Sequence, residues 1–274
     1  MSIALVLILA LIQGVAALLP VSGTGHLAVL QNLFAAPQEG ESFLLLNVML
    51  HLGSLAAVIV ALKNDIGSIL REAAEYFRGE SREGVPPLVR LAMLIGAATL
   101  PLFAALPFYR RFAAIFRGTG IVGFMFLLGA VIMYLADKLL KNGTKKTRAI
   151  TLVDALIIGV AQFAALIPGL SRLGVTVSVA RARGVEKSFA VKFSMLMSIP
   201  ALAGATLVSL YDAVLYEIDW SLLPVYLLGL AVSAAVALVA VRITFMMARR
   251  GNFVLFSYYC FGAGIISLLI SLFI

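Results

Sequence analysis

Two short clusters of polar and helix-breaking residues lie inside long apolar stretches of this sequence. The first holds Pro20, Ser22, Gly23, Thr24, Gly25 and His26, and the second holds Pro168, Gly169, Ser171, Arg172, Gly174 and Thr176. Hydroxyl groups, the N–H groups of glycine-rich turns and a guanidinium all bind phosphate oxygens, and an imidazole transfers protons. The two clusters therefore predict a site for a phosphorylated ligand, and we expect them to meet and form it together.

Arg172 is the basic residue that the sequence places inside an apolar stretch, away from the charged loops. An arginine at membrane depth is energetically costly and typically has an anion as its partner. Its planar guanidinium can hold two phosphate oxygens at once. The N–H groups at the start of the helix that follows also favour an anion. We predict that Arg172 clamps a phosphate. The predicted phosphate contacts around it are Ser22, Thr24, Gly25, Ser171, Gly174 and Thr176.

His26 is one of 2 histidines and directly follows the first glycine-rich turn. An imidazole can act as a base, an acid or a nucleophile, and the sequence leaves these three roles open. His51 and Asn47 lie one helical turn apart, so they share a helix face and are predicted to support the site. Gln13 and Gln162 precede the two clusters and are predicted to hydrogen-bond the turns that follow. No Cys/His cluster with ligand spacing occurs in the sequence, which argues against a zinc site.

The composition indicates which elements position these residues. Of the 274 residues 62% are hydrophobic and the mean hydropathy is +1.08, which is typical of helical membrane proteins. Six stretches have the length of a transmembrane helix, namely 43–62, 91–109, 118–137, 190–210, 222–246 and 253–274. The stretches 2–34 and 150–180 are also apolar but contain the two clusters, and non-helical chain in hydrocarbon requires surrounding protein or a water-filled cavity. The sequence predicts an all-α polytopic membrane protein with six transmembrane helices and two re-entrant helix pairs.

The distribution of basic residues agrees with this topology. If both interrupted stretches return to their own side, 17 of the 21 basic residues fall on one face. They lie in the segments 63–90, 138–149, 181–192 and 242–250. The opposite face then holds Arg110, Arg111 and Arg117. By the positive-inside rule the strongly basic face is cytoplasmic. Loops that face anionic lipid then account for the net charge of +8, and nucleic-acid binding is not expected.

The two interrupted stretches also resemble each other. Residues 13–22 read QGVAALLPVS and residues 159–171 read GVAQFAALIPGLS. Because one pair is predicted to enter from each face, the halves have opposite topology. We predict a single membrane domain, 1–274. Its parts are a first repeat of about 1–137, a cytoplasmic linker 138–149 and a second repeat of about 150–274. Inverted repeats with broken helices place their ligand near the membrane midplane.

With these motifs in view, the sequence resembles the undecaprenyl-diphosphate phosphatase family, also called bacitracin-resistance proteins. The resemblance covers nearly the whole chain. It is carried by the segments Gly14–Leu27, Leu50–Ser54, Pro168–Thr176 and Phe193–Pro200, followed by Gly204. The family's fold is similar to the prediction above, with six spans and two re-entrant pairs in an inverted repeat.

The resemblance also implies a function. It implies removal of one phosphate from the polyprenyl diphosphate carrier lipid of cell-wall synthesis, in a bacterial plasma membrane. It further implies a site open toward the outer face, contact with membrane lipids, and a divalent cation such as Mg²⁺ or Ca²⁺. The expected ligand is polyprenyl (undecaprenyl) diphosphate or phosphate, and a homodimer is left open.

The sequence departs from the family's pattern where that pattern carries charge or hydroxyl groups. Ala17 replaces an acidic residue, Gly23 replaces a second serine, Asn47 stands where an acidic residue is usual, and Leu173 replaces the serine after the arginine. A carboxylate would hold a hard cation and move protons, so the departures imply impaired catalysis and no evident protein carboxylate for a cation.

Two functions follow from these departures. One is a lipid-diphosphate phosphatase with His26 and Arg172 as its catalytic residues. The other is a non-hydrolysing polyprenyl-phosphate binder or translocase that uses the same anion site.

Overall fold

The computed structural model describes residues 2–33, 41–79, 84–104, 107, 118–215, 220–251 and 253–273. Over these residues the chain is helical, with no β-strand, and Trp220–Leu222 form a 3₁₀ turn. The first helices are α1 (Ile3–Leu18), α2 (Gly23–Leu33), α3 (Glu41–Ala61), α4 (Lys63–Phe77), α5 (Pro87–Ala104) and α6 (Thr119–Lys138). They are followed by α7 (Leu152–Ala164), α8 (Arg172–Ala182), α9 (Lys187–Val214), α10 (Leu223–Arg250) and α11 (Val254–Ile270).

Within the described chain, 5 helices are long and apolar enough to cross a membrane, namely α3, α5, α6, α9 and α10. They cover the predicted spans 43–62, 91–109, 118–137, 190–210 and 222–246, although α5 is described only to Ala104. The sixth predicted span, 253–274, corresponds to α11, whose 17 residues extend about 25 Å. The chain is therefore an all-α, multi-pass membrane protein, and the count of six spans stays a prediction.

Both interrupted stretches are broken where the sequence predicts. The first forms α1 with 16 residues and α2 with 11, and the second forms α7 with 13 and α8 with 11. At 1.5 Å per residue each of these helices extends about 17 to 24 Å, which is less than the thickness of about 30 Å of a hydrocarbon core. Within each stretch the two short helices contact each other. The helix pairs are therefore present, and their re-entrant course stays a prediction.

Local hydrogen bonds explain where the second pair begins its helices. The Thr151 hydroxyl accepts from the Asp154 N–H, and the Asp154 carboxylate accepts from the Thr151 N–H, which is a capping box at the start of α7. The Ser171 hydroxyl caps α8 by accepting from the Gly174 N–H at 3.2 Å. These caps satisfy N–H groups that a helix start otherwise leaves unpaired.

The sequence also predicts an amphipathic helix in the segment 64–90, from the helical spacing of Ile66, Ile69, Leu70, Ala73 and Phe77, and α4 contains all five residues. The helix does not extend over the whole segment, because α4 ends at Phe77 and α5 begins at Pro87. Gly79 follows α4 with a φ of 75°, a left-handed conformation that ends helices. Pro87 then starts α5, because proline suits the first position of a helix.

Close helix contacts arrange the two interrupted pairs around the spans. Helix α1 packs on α10 and α7 packs on α5, while α3 packs on α9 and α6 on α11. A Cβ added at Gly14 would lie 2.8 Å from the Ser233 oxygen of α10, and one at Gly159 would lie 2.4 Å from the Ala98 oxygen of α5. Small residues allow such approach of membrane helices. Gly14 and Gly159 each begin a Gly-Val-Ala sequence in the two similar segments. The inverted relation of the halves stays a prediction.

The four basic segments contact one another at one end of the helix bundle. The contacts are Lys192 Nζ to Asp65 Oδ1 at 2.8 Å and Lys145 N to Gly184 O at 3.1 Å, and Lys187 Nζ lies 3.3 Å from the carbonyl oxygen of Gly251, the residue that follows the segment 242–250. We call this the basic end of the molecule. Its assignment to the cytoplasm stays a prediction.

Candidate functional site

The two helix breaks touch each other, which confirms that the two motifs meet. The Gly169 N–H donates to the Ser22 Oγ at 3.1 Å, across 147 positions of sequence. A Cβ at Gly25 would lie 2.7 Å from the Gly169 nitrogen, so glycine is needed for this approach. The hydroxyl of the first motif and the backbone of the second motif therefore form one structural unit.

The backbone at this junction is strained. Ser22 has a φ of 64° and Gly169 has a φ of 100°. A left-handed conformation is uncommon for a residue with a side chain and costs of order 1 kcal/mol or more. At Ser22 the surrounding bonds hold it, because its hydroxyl accepts from Gly169 and its carbonyl accepts from the ring and the N–H of His26. Such conformations cluster at functional sites.

Residues far along the chain satisfy the carbonyl groups of the first break. The Thr244 hydroxyl of α10 donates to Leu18 O at 2.8 Å, and the Cys260 thiol of α11 lies 3.6 Å from Pro20 O. In hydrocarbon an unpaired carbonyl costs several kcal/mol, so these side chains stabilise the break. Neither Thr244 nor Cys260 is predictable as a partner from the sequence, since a single polar residue in an apolar helix carries no information about what it contacts.

A cavity of about 180 Å³ lies at the junction of the breaks. Seven of the predicted site residues line it, namely Gln13, Ser22, Thr24, His51, Gln162, Ser171 and Arg172. Apolar residues of α5 and α9 also line the cavity, and they were not predicted from the sequence. These are Leu102, Ala201, Leu202 and Ala205. The signal that the sequence offers is Pro200, a proline inside α9 that lies within five positions of the last three.

Arg172 lies in this cavity without an acidic partner among the described residues. Its Nη2 donates to Ala17 O at 3.4 Å, which is long for a hydrogen bond. Among the described residues this is the one hydrogen bond of the Arg172 side chain. A guanidinium has five N–H donors, so most of those on Arg172, which lines the cavity, have no acceptor among the described residues. The cavity therefore has the electrostatics of an anion site, and the planar donor set fits phosphate oxygens.

Two glutamines and a histidine approach the same space. Gln162 is only 1% exposed, and neither the oxygen nor the nitrogen of its carboxamide has a hydrogen-bond partner in the described chain. Gln13 lines the cavity from α1. His51 Nδ1 lies 2.7 Å from Asn47 O, and because a carbonyl only accepts, Nδ1 carries the hydrogen. His51 Nε2 is then an acceptor without a donor among the described residues. The Asn47 side chain itself does not line the cavity.

His26 lies beside the cavity and not in its wall. Its Nδ1 donates to Ser22 O at 2.7 Å, one helical turn earlier, and its Nε2 accepts from the Tyr259 hydroxyl at 2.8 Å. The imidazole ring stacks on Tyr259 at 5.6 Å and meets the edge of Phe126 at 4.9 Å between ring centroids. These contacts fix the tautomer and the orientation of the ring. Tyr259 was not identified from the sequence, in which it is one aromatic residue of a predicted span.

The remaining predicted contacts, Gly25, Gly174 and Thr176, do not line the cavity and have protein partners instead. The Thr176 hydroxyl donates to Arg172 O at 2.8 Å, within its own helix. The Gly174 N–H is used by the Ser171 cap, and a Cβ at Gly174 would lie 2.4 Å from the Met133 sulfur. Gly25 packs on Gly169. These three residues shape the site from behind the wall of the cavity, and their predicted contact with phosphate stays a prediction.

The cavity does not fit a divalent cation held by the protein. Magnesium and calcium prefer carboxylate oxygens, and the lining offers only neutral amide and hydroxyl oxygens beside a guanidinium. Within the described residues no cluster of three or more His, Cys, Asp or Glu side chains could hold a metal ion. The cation implied by the resemblance stays a prediction, and no step of the chemistry below depends on it.

Comparison with known proteins identifies the family to which the chain belongs. Residues 6–266 match the family described as bacitracin resistance protein BacA. The chain is 34% identical over 265 residues to the undecaprenyl-diphosphatase of Carboxydothermus hydrogenoformans, with 94% of each chain covered. It is 35% identical over 262 residues to that of Syntrophotalea carbinolica, covering 94% of this chain and 95% of the relative. It is 34% identical over 275 residues to the undecaprenyl-diphosphatase of Korarchaeum cryptofilum, with 98% of this chain and 100% of the relative covered. The chain belongs to the BacA family.

Proposed function

We propose that this protein hydrolyses a polyprenyl diphosphate carrier lipid to the lipid monophosphate and inorganic phosphate. The observation that carries the proposal is Arg172, a guanidinium in a membrane cavity without a carboxylate partner among the described residues. A cation in that setting requires an anion, and its geometry fits phosphate. The relatives named undecaprenyl-diphosphatase supply the class of substrate.

In this proposal Arg172 and the hydroxyl groups hold the terminal phosphate. The Ser22 and Ser171 hydroxyl oxygens each accept an N–H, so their own hydrogens are free to donate to phosphate oxygens. Thr24 adds a third hydroxyl at the cavity wall. Catalysis of phosphoryl transfer depends mostly on positioning and electrostatic stabilisation, which these groups provide.

His26 is the proposed proton-transfer residue. Its Nδ1–H bond to Ser22 leaves the lone pair on Nε2, the atom that accepts a proton from an attacking water. The water oxygen bonds to the terminal phosphorus while the bond from that phosphorus to the bridging oxygen breaks. The bridging oxygen leaves with the lipid monophosphate, and inorganic phosphate is the second product. Tyr259 bonds Nε2 and is 51% exposed, so its side chain is free to yield this position to the substrate.

The proposed enzyme is slower than a member of the family with the acidic residue in place. Ala17, which lines the cavity, and Asn47, one turn from His51, carry no charge. General acid–base assistance is typically worth about 10²- to 10⁴-fold in rate. We expect a loss within this range relative to the family pattern.

We also propose an orientation in a bacterial plasma membrane. The basic end faces the cytoplasm by the positive-inside rule, and the site opens toward the outer face. Arrangement as a homodimer stays a prediction.

A second candidate is supported by the uncharged lining of the cavity. Binding and translocation of a polyprenyl phosphate need the cation but not a carboxylate, and transporters with broken helices use such sites. A translocase is expected to transfer the lipid across a bilayer without releasing phosphate.

The test measures phosphate release by the purified protein from undecaprenyl diphosphate and farnesyl diphosphate. We expect slow release by the native chain and none by Arg172→Ala. We expect His26→Ala to lose at least about 100-fold in kcat and His51→Ala to act mainly on KM. A larger loss of kcat in His51→Ala than in His26→Ala would move the proton-transfer role to the histidine that lines the cavity.

A gain-of-function variant separates the two candidate functions. Ala17→Glu with Gly23→Ser restores the family pattern and is expected to raise the rate, although a Cβ at Gly23 would lie 3.3 Å from Ala16. The phosphatase proposal would be overturned if the double variant released phosphate and the native chain released none. Transfer of the monophosphate lipid across liposome membranes by the native chain would then establish the translocase.

A further inference from the structure

A second and larger cavity lies at the basic end of the molecule. Its volume is about 660 Å³, and it lies between the end of α3, the start of α4 and the last turns of α10. It shares no lining residue with the cavity around Arg172. It is therefore a separate site, and the function proposed above does not use it.

The lining of this cavity is cationic and apolar. Its charged members are Lys63, Arg242, Arg249 and Arg250, and it contains no acidic residue. In the described chain none of these four side chains has a hydrogen-bond or ion-pair partner. Six other basic side chains at this end are paired with a carboxylate or a carbonyl, namely Arg90, Lys145, Arg181, Arg183, Lys187 and Lys192. The remaining described ones, such as Lys141 and Lys146, lie outside the cavity without such a partner. What distinguishes the four cations of the cavity is that they line one common space without an acidic residue.

Helix electrostatics explain only part of this arrangement. Arg249 and Arg250 lie in the last turn of α10, where cations interact favourably with the helix dipole. Arg242 lies two turns earlier and gains little from that effect. Lys63 is the first residue of α4, where the dipole disfavours a positive charge. An anion held among the four cations would account for the last two positions.

The apolar part of the lining indicates that the anion belongs to a lipid. Val60 and Met246 are 54% and 40% exposed, and Leu238 and Phe245 complete the same wall. Basic pockets beside transmembrane helices recognise lipid headgroups. A phosphomonoester carries a charge of about −1.5 to −2 and presents three acceptor oxygens, whereas a phosphodiester carries one charge. Four cations without an acid match the phosphomonoester better.

We propose that this cavity binds the terminal phosphomonoester headgroup of a membrane lipid, whose hydrocarbon chain lies against α3 and α10. Arg242 and Arg249 supply planar donor sets for the phosphate oxygens, and Lys63 and Arg250 add positive charge. The site requires no activity of the cavity around Arg172.

The test measures binding of phosphatidate to the full-length protein by native mass spectrometry. An Arg172→Ala background removes the contribution of the first cavity. We expect Arg242→Gln with Arg249→Gln to weaken binding by about 100-fold, since one charge-assisted hydrogen-bonding group is typically worth about a factor of 10. The matched control is Lys141→Gln with Lys146→Gln, which removes the same charge from exposed lysines outside the cavity. It is expected to change binding by less than about 5-fold.

Two further arms identify the ligand. Phosphatidylglycerol, a phosphodiester, is expected to bind more weakly than phosphatidate, and inorganic phosphate more weakly still. An equal loss in the control pair would show diffuse surface electrostatics and overturn the proposal. Equal binding of phosphatidylglycerol would overturn the phosphomonoester assignment, and equal binding of inorganic phosphate would overturn the role of the hydrocarbon chain. Arg242→Lys with Arg249→Lys keeps the charge and is expected to give an intermediate affinity.

Discussion

At the scale of single residues, two buried polar groups without a hydrogen-bond partner in the described chain differ in whether they line the cavity. The carboxamide of Gln162 and the hydroxyl of Ser194 are both buried, and neither has a hydrogen-bond partner in the described chain. A polar group without a partner in an apolar interior costs free energy. Gln162 lines the cavity beside Arg172, whereas Ser194 of α9 does not. We infer that the cost at Gln162 is offset when a ligand binds.

The substitution Gln162→Met tests this inference, because it keeps the shape and removes the polar group. We expect it to stabilise the ligand-free protein by about 1 kcal/mol, as the desolvation cost disappears, and to raise KM about 10-fold. Ser194→Ala is the matched control and is expected to stabilise without changing KM. The measurements are thermal unfolding in detergent and the kinetics of phosphate release. An unchanged KM in Gln162→Met would show that the carboxamide does not contact the substrate.

At the scale of helices, the sequence predicts the breaks and not the contacts that hold them. Proline and glycine clustered with polar residues in an apolar stretch favour a break, because proline lacks an N–H group and glycine adopts left-handed conformations. A lone proline is not sufficient, since Pro101 lies inside α5 and Pro200 inside α9. Both breaks therefore lie where expected, at Pro20 and at Pro168. The bond from Thr244 to Leu18 joins residues 226 positions apart, and a local pattern contains no information about such a partner. The same reason explains why His26 was assigned a catalytic role while its contact with Tyr259 was not foreseen.

The close contact between the two breaks predicts that replacing Gly25 by alanine destabilises the protein, whereas replacing Gly204 does not. In Gly25→Ala the new Cβ would lie 2.7 Å from the Gly169 nitrogen and from the Phe126 ring, so the breaks must separate. We expect a loss of about 1 to 3 kcal/mol in stability, together with loss of phosphate release, because the hydroxyl of Ser22 moves away from Arg172. Gly204→Ala in α9 has no atom within 4 Å of the new Cβ and is expected to be neutral or stabilising by less than about 1 kcal/mol. Equal thermal midpoints for the two variants would contradict the close junction.

At the scale of the whole molecule, charge is concentrated at one end. The sequence predicts that four basic segments share a face, and their mutual contacts agree with that prediction. It does not predict which cations are paired, since pairing depends on the three-dimensional approach of helix ends. Asp154 is fully buried and pairs with Lys145 at 2.9 Å and Arg183 at 2.8 Å, whereas Asp65 and Lys192 form a half-exposed pair. One buried carboxylate therefore joins the loop 138–149 to the end of α8.

Because Asp154 is buried and Asp65 is half-exposed, we expect Asp154→Asn to destabilise the protein more than Asp65→Asn does. Burial alone would raise the pKa of Asp154, but the hydrogen bonds from Lys145, Thr151 and Arg183 outweigh it and hold the pKa well below its usual value. Since the pKa is lowered by folding, the carboxylate stabilises the protein above the pKa of about 4 of an unfolded aspartate, and this contribution is lost as the pH falls toward the folded value. At neutral pH we expect Asp154→Asn to cost about 2 kcal/mol, because Lys145 and Arg183 are partly exposed and solvent weakens the pairs.

Asp65→Asn removes one half-exposed pair and is expected to cost less than about 1 kcal/mol. For a chain of this size the cost at Asp154 corresponds to a thermal midpoint lower by about 4 to 8 °C, measured by unfolding in detergent at neutral pH. The gap between Asp154→Asn and the native chain should narrow in strong acid, where the native carboxylate is also protonated. Two results would show that Asp154 does not join the basic segments in the way its contacts indicate. One is an equal fall of the thermal midpoint in Asp154→Asn and Asp65→Asn. The other is a difference in midpoint between Asp154→Asn and the native chain that becomes larger in acid.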